Sequence, residues 1–265
     1  MTAVALRQVF DSDEEGGRRV LDYLSTVLDG FTCDRLGRAG VAWGGRCWEV
    51  GAGNGSVAGW LGDRIGPTGE VIATGLCPDL VRSHPRVTVI GRNDERDPLL
   101  GGVFDLVHAR LVFAGWPQRW ELVHRYARAL APGRPLVIED WGRCSGLVLS
   151  SPVPDAAGVY CRFRSALAEV FTQAGGDLYW VTHTAAAMAD AGLVEVDTAV
   201  HAQSWRGGTA GYLLPLTVAR TLRGPLLEAG VDSDDLDALA EVLTHPETVL
   251  LGDTVFSTIG RRQHT

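Results

Sequence analysis

The chain has 265 residues, 46% hydrophobic and 21% charged, with a formal net charge of -8. That is the composition of a soluble globular protein long enough for a large core, and its acidic balance argues against a nucleic-acid partner. All 24 basic residues are arginine, which excludes lysine Schiff-base chemistry, a lysine-bound pyridoxal cofactor and a Walker-type phosphate loop.

Residues 1–16 carry an acidic run and read as a frayed or mobile arm. Apolar residues at 20, 21, 24, 27 and 28 predict a helix from Arg18 to Leu28, and a second short helix is expected at Asp34–Ala39. Strands are expected at 47–50, 70–74, 87–90, 104–108 and 136–140. Helices are expected at 56–65, from Asp79, and at 119–130, the last ended by Pro132-Gly133. This alternation implies an α/β fold: a mainly parallel, Rossmann-like sheet with helices on both faces and ligands outside the carboxyl ends of its strands. From Trp141 the alternation breaks. Helices are expected at 160–173, 184–191, 212–229 and 234–243, and strands at 194–200 and 255–260. The expected organisation is an N-terminal helical arm or lid over 1–40 and an α/β domain over 41–265. Insertions at about 142–180 and 208–247 would build a cover over the substrate.

The most informative segment is Glu49-Val50-Gly51-Ala52-Gly53-Asn54-Gly55, between the first strand and the helix that follows. Alternating glycines at such a turn let backbone approach a ligand closely, and the helix N-terminus beyond favours an anionic group. A dinucleotide site would need glycine at 56, where Ser56 stands. The five cysteines are scattered without a C-x-x-C pair and read as reduced thiols, and no His/Cys/Asp cluster has metal spacing, so no metal is expected. No apolar window reaches membrane-spanning length and no secretion signal leads the chain, so a cytoplasmic protein without membrane contact is expected.

The stretches CWEVGAGNGSVAGWLGDRIGPTGEVIAT, FDLVHARLV and ALAPGRPLVIEDW, with the tail AGLVEV and the closing STIGRR, resemble class I S-adenosylmethionine (SAM)-dependent methyltransferases. The kind resembled acts on small molecules in actinobacterial natural-product metabolism. The resemblance implies a seven-stranded sheet with its last strand antiparallel, SAM as cofactor and a small-molecule substrate. It implies cofactor contacts from Glu49, Gly51, Ala52, Gly53, Asn54 and Gly55, from Gly75 and Leu76, and from His108, Ala109 and Arg110. It also implies that Asp94 takes the adenine amino group, with Glu95 beside the ring. One departure stands out: the family places an acid that grips the ribose hydroxyls where this chain has Gly75. Asp79 either replaces that acid or caps the helix after Pro78.

His183 and Asp140 are the candidate catalytic acid–base groups, each with a structural reading beside it. Tyr23, Trp141, Tyr160, Phe163 and Tyr179 are candidates to line a substrate pocket, with core packing as the alternative. His108 is equally open to a cleft role and to structural packing. Two other functions stay open: a methyltransferase-fold enzyme repurposed for cyclisation, isomerisation or elimination, which Gly75 motivates, and a noncatalytic binding partner. The N-terminus and the helical additions permit a homodimer without requiring one.

Overall fold

The computed structural model describes residues 15–142 and 146–264. The arm expected over 1–16 lies, apart from its last two residues, outside the described residues, as does Cys144. The described chain divides into two compact units. One comprises Asp29–Trp141, Tyr179–Val200 and Phe256–Thr265; the other comprises the described part of Met1–Leu28 with Gly142–Leu178 and His201–Val255. The stretches expected to form a cover therefore fall, apart from 179–180, in the second unit, together with residues 201–207 and 248–255.

The first unit is a seven-stranded sheet of order β3-β2-β1-β4-β5-β10-β7. Its strands are β1 (Arg46–Val50), β2 (Glu70–Gly75), β3 (Val87–Gly91), β4 (Leu106–Arg110), β5 (Pro135–Trp141), β7 (Leu193–His201) and β10 (Val255–Arg262). The pairs β1–β2, β2–β3, β1–β4 and β4–β5 are parallel, as the alternation predicts. Strand order reverses at β1: β2 and β3 extend to one side, β4 and β5 to the other. The crevice between the carboxyl ends of β1 and β4 is therefore the natural ligand position.

Side-chain alternation sorts the two faces. On one face Cys47, Val71, Ala73, Leu106 and Val137 pack with Leu36 of α1 (Glu15–Ala39) and with Val57, Ala58 and Leu61 of α2 (Ser56–Arg64). The same face carries Glu49, His108, Arg110 and Glu139, two or four residues further along their strands, so a polar layer lies above the apolar one at the ligand end. On the other face Trp48 is fully buried against Phe104 and against Tyr126 of α3 (Arg119–Ala129). Phe113 stacks on Trp180 of α5 (Trp180–Asp190) there.

The second unit holds a three-stranded sheet, β6-β9-β8, of β6 (Leu147–Ser150), β8 (Ser204–Arg206) and β9 (Val249–Leu251). It packs with α4 (Ala156–Gln173), α6 (Ala210–Thr221), α7 (Arg223–Glu228) and α8 (Ser233–Thr244). The pattern of short, separated strands gave no hint of this sheet.

Several elements depart from expectation for local reasons. The two expected N-terminal helices are one helix, α1, which runs through Gly30; an exposed glycine within a helix costs only about 1 kcal/mol, and Thr32 and Arg35 anchor the later turns to Glu139 and Ser257. The helix expected from Asp79 is a single 3-10 turn, Pro78–Leu80, because Pro85 follows closely and the chain turns extended at Val81. β4 starts two residues late: the Asp105 carboxylate accepts a hydrogen bond from the Arg46 amide instead of continuing the ladder. The stretch 212–229 breaks at Leu222 into α6 and α7.

Candidate functional site

The turn after β1 has the backbone its glycines predict. Gly51, Gly53 and Gly55 have φ of 68°, 54° and 79°, in the left-handed region that glycine occupies without penalty. The turn is pinned from outside. Ala52 N donates to Thr74 O at 2.8 Å, and Arg82 N donates to Asn54 O at 3.0 Å. Within it, the Asn54 side-chain oxygen accepts the Ser56 amide at 3.2 Å. Gly55 caps α2 without a side-chain cap, so the helix begins on bare backbone.

Two of the three glycines also have a packing reason to be bare. A Cβ on Gly51 would lie 2.4 Å from Val112 Cγ1, and one on Gly55 would lie 2.6 Å from Val81 Cγ1. The space above those two positions is taken by the protein's own side chains. Gly75 is the open one: a Cβ there would meet only the Ala52 amide nitrogen, at 3.8 Å. Val112 is delivered to Gly51 by Leu111, which ends β4 with φ of 58°, a strained conformation for leucine.

Of the residues that the resemblance implies as cofactor contacts, Gly51, Gly53, Gly75, Leu76 and Arg110 have accessible surface, and Leu76 is 45% exposed directly after β2. Ala52, Asn54, Gly55 and Ala109 are buried in the turn and in β4. Asp94 is buried, with its carboxylate directed at the glycine turn. Its buried carboxylate meets the Gly51 amide, the Thr74 hydroxyl and Arg92, whose Nε is 2.9 Å away. Burial drives its pKa up, those three partners pull it back, and it settles at about 6. Glu95 is buried beside it, with Arg125 donating to its carbonyl. Asp79 is exposed within its 3-10 turn, which Cys77 starts with no side-chain cap bond, so the capping role expected for Asp79 is not made.

His108 has no exposed surface, and both ring nitrogens face carboxylates: Nδ1 lies 2.6 Å from Glu49 Oε2 and Nε2 lies 3.6 Å from Glu139 Oε2. Burial opposes its charge, but the Glu49 carboxylate bonded to Nδ1 and the Glu139 carboxylate facing Nε2 win, raising its pKa to about 9. Burial likewise pushes the Glu139 carboxyl up, yet His108, the Thr32 hydroxyl and Arg110 hold it below the ordinary value. The two carboxylates thus favour the protonated ring, and His108, with no exposed surface, is packed inside the sheet. Glu139 and Thr32 were missed by sequence reasoning. The signal was a glutamate within the apolar run Leu136-Val137-Ile138-Glu139 of a central strand.

The two acid–base candidates sit on different elements, Asp140 on β5 and His183 on α5. Asp140 is buried, its Oδ2 accepting the Ala114 amide at 3.3 Å. Burial raises its pKa well above the ordinary value, against the Ala114 amide and Arg119, and Glu139 adds to the rise. His183 lies exposed on α5, with its ring 6.4 Å from that of Trp120. Among the substrate candidates, Trp141 is half-buried at the end of β5, and Tyr179 is exposed just before α5. Tyr160 and Phe163 are buried in α4 with ring centroids 6.1 Å apart, and Tyr23 is half-buried on α1. No group of three or more metal-ligating side chains occurs among the described residues, and no described helix is long and apolar enough to cross a membrane.

Residues 48–138 match the family model described as a methyltransferase domain. Among solved structures, the chain is similar to phosphoethanolamine N-methyltransferase 2 of Haemonchus contortus, crystallised with phosphomonomethylethanolamine and S-adenosylhomocysteine. The identity is 15% and the TM-score 0.57, covering 99% of this chain and 57% of that one, so the chain spans little more than half of that protein. It is also similar to a putative methyltransferase from Bacillus halodurans, at 14% identity and a TM-score of 0.54, covering 88% and 98% of the two chains. A putative methyltransferase of Haloferax volcanii, in complex with its Trm112 activator, matches at 16% identity and a TM-score of 0.54, covering 96% and 97%. At these identities the likeness is one of fold. No curated protein has a matching sequence.

Proposed function

From a methyltransferase domain carried on the class I SAM-dependent methyltransferase fold, we propose that this chain moves a methyl group from SAM to a small, apolar or aromatic acceptor of natural-product type. The observation that carries the reading is the glycine turn at the strand-order switch point, with three left-handed glycines leading into a helix whose N-cap residue is itself a glycine. Such a turn presents backbone donors and a helix N-terminus to a carboxylate. The exposed Leu76 beside it offers apolar area that an adenine plane would cover. Both features suit the adenosyl amino acid.

When bound, SAM supplies a methyl group already activated on a sulfonium. The protein's share is then chiefly to bind and orient, since fixing two reactants in line supplies a large part of such an acceleration. Trp141 and the exposed Tyr179 are the aromatic surfaces that the sheet unit offers an acceptor. Asp140, buried at the end of β5, accepts the Ala114 amide.

A second reading rests on Gly75. Without an acid at the end of β2 the ribose diol loses a charge-assisted partner, which weakens the cofactor by roughly 1.5–3 kcal/mol per contact. A chain that keeps the fold but has given up methyl transfer, for a cyclisation, isomerisation or elimination, has no need of that grip.

Calorimetry with SAM and S-adenosylhomocysteine separates the two. Micromolar binding of both is expected; no binding up to millimolar concentration removes the methyl-transfer reading. Gly75→Asp provides a companion measurement. The new side chain enters open space, so the variant should fold as the parent does and bind S-adenosylhomocysteine equally well or up to about tenfold more tightly. Weaker binding would mean that position 75 is kept small for another ligand.

A further inference from the structure

The glycine turn leaves β1 just after Glu49 and enters α2 at Ser56, and these two residues are joined a second time through side chains. Glu49 Oε2 meets His108 Nδ1 at 2.6 Å, and His108 Nε2 lies 3.6 Å from Glu139 Oε2. The Thr32 hydroxyl donates to the same Glu139 oxygen at 2.5 Å. Arg110 donates to Thr32 Oγ1 at 3.0 Å and to Asp29 Oδ1 at 2.9 Å. The Ser56 hydroxyl closes the circuit by donating to Asp29 Oδ1 at 3.2 Å. The ring runs through β1, β4, β5, α1 and α2, and every member lies in the sheet unit.

We propose that His108 is a positioning residue: as an imidazolium bridging Glu49 and Glu139, it closes a buried polar ring that holds the glycine turn in its ligand-receiving geometry. The proposal rests on the reading that this turn receives SAM. The argument is one of donor supply. A neutral imidazole has one N–H, which the Glu49 contact takes; only the cation can also pair by charge with Glu139, across 3.6 Å. With no exposed surface at His108 and Glu139, no water replaces the lost donor. With the proton in place the ring holds three carboxylates and two cations; without it, three carboxylates face one guanidinium.

The groups around His108 leave it the one that titrates in the mildly alkaline range. Glu49 faces it from β1 and Glu139 from β5. Arg110 lies further along β4. From α1 come Asp29, Thr32 and Cys33, whose thiol is pushed up to about 11 by burial and by the Asp29 charge. His108 itself gives up its proton near pH 9. The ring is therefore closed at neutral pH and opens first at this histidine.

Two measurements test this. In nitrogen-15 NMR of histidine-labelled protein, with His108 assigned by comparison with His108→Gln, both ring nitrogens should be protonated at pH 7.5, and the transition should fall near pH 9. In calorimetry with S-adenosylhomocysteine from pH 7 to 10, the parent should lose about tenfold more affinity than His108→Gln, whose own decline reports the ligand's amine. His108→Gln should also bind about tenfold more weakly at pH 7.5. Glu139→Gln keeps the histidine but removes one carboxylate, so it should move the transition toward neutrality. It decides the matter if His108→Gln fails to fold. A neutral His108 ring at pH 7.5 overturns the proposal, and so does a folded His108→Gln with the parent's affinity and pH profile. If the parent binds no S-adenosylhomocysteine at any pH, the methyl-transfer reading fails. The ring is then judged by hydrogen exchange at residues 51–55: faster exchange in the variant upholds it, and unchanged exchange overturns it.

Discussion

At Gly51 the backbone has φ of 68°, and an added methyl group would lie 2.4 Å from Val112 Cγ1. Both effects act against any other residue there: left-handed backbone costs about 1 kcal/mol for alanine, and overpacking costs about 1–3 kcal/mol. Gly51→Ala should lower stability by about 2–4 kcal/mol in urea unfolding, and the surviving folded protein should bind S-adenosylhomocysteine at least tenfold more weakly. A variant with the parent's stability would show that Val112 moves aside freely. At this scale the turn was legible in the sequence and the side chains packed against it were not. The glycine pattern located the turn, but the side chains that fill its hydrogens' side, Val112 and Val81, come from distant stretches that no local pattern joins to it. Asp94 was marked by its place after β3; that its carboxylate would turn inward to Gly51 and Thr74 depends on the fold.

Among the elements, α1 has the most to explain. Its later turns are fastened to the sheet by polar side chains rather than by an unbroken apolar stripe. Thr32 reaches Glu139, and Arg35 reaches Ser257 and Asp197. Thr32→Val keeps shape and volume but leaves a buried carboxylate oxygen without its hydroxyl donor and Arg110 without one acceptor. It should cost about 1–3 kcal/mol, measured by chemical denaturation, with a larger loss of amide protection in α1 than in α3. The strands of the sheet were legible because apolar runs bounded by Gly and Pro are a strong local signal. α1 is one helix where two are expected, because the partners that anchor Thr32 and Arg35 lie far away in the chain. The sheet β6-β9-β8 escaped because its strands are only three or four residues long and lie far apart in the chain.

On the scale of the whole molecule, each compact unit is assembled from three separate stretches of chain. Most stabilising contacts therefore join residues remote in sequence, and folding should be correspondingly slow. This also limits what the sequence shows, since a unit spliced from three stretches carries no compositional boundary. The buried charges give global stability a pH dependence of defined sign. The pKa of His108 rises from its ordinary 6.5 to about 9 on folding. Its contribution is complete below pH 6.5, where both states are protonated, and is lost as pH rises through 9. Unfolding free energy should thus be lower at pH 9.5 than at pH 7 by an amount on the order of a few kcal/mol. His108→Gln should flatten that decline, and an identical slope in both proteins would assign it to other groups.

Leu111 keeps an uncomfortable posture at the end of β4, and Val112 beyond it presses on the bend that leads into α2. An asparagine or glycine would sit there at ease, which sets robustness against readiness at a single residue. A lineage selected only to survive heat would be drawn to relax that joint and would slacken its grip on the ligand by doing so, whereas leucine keeps the spring wound.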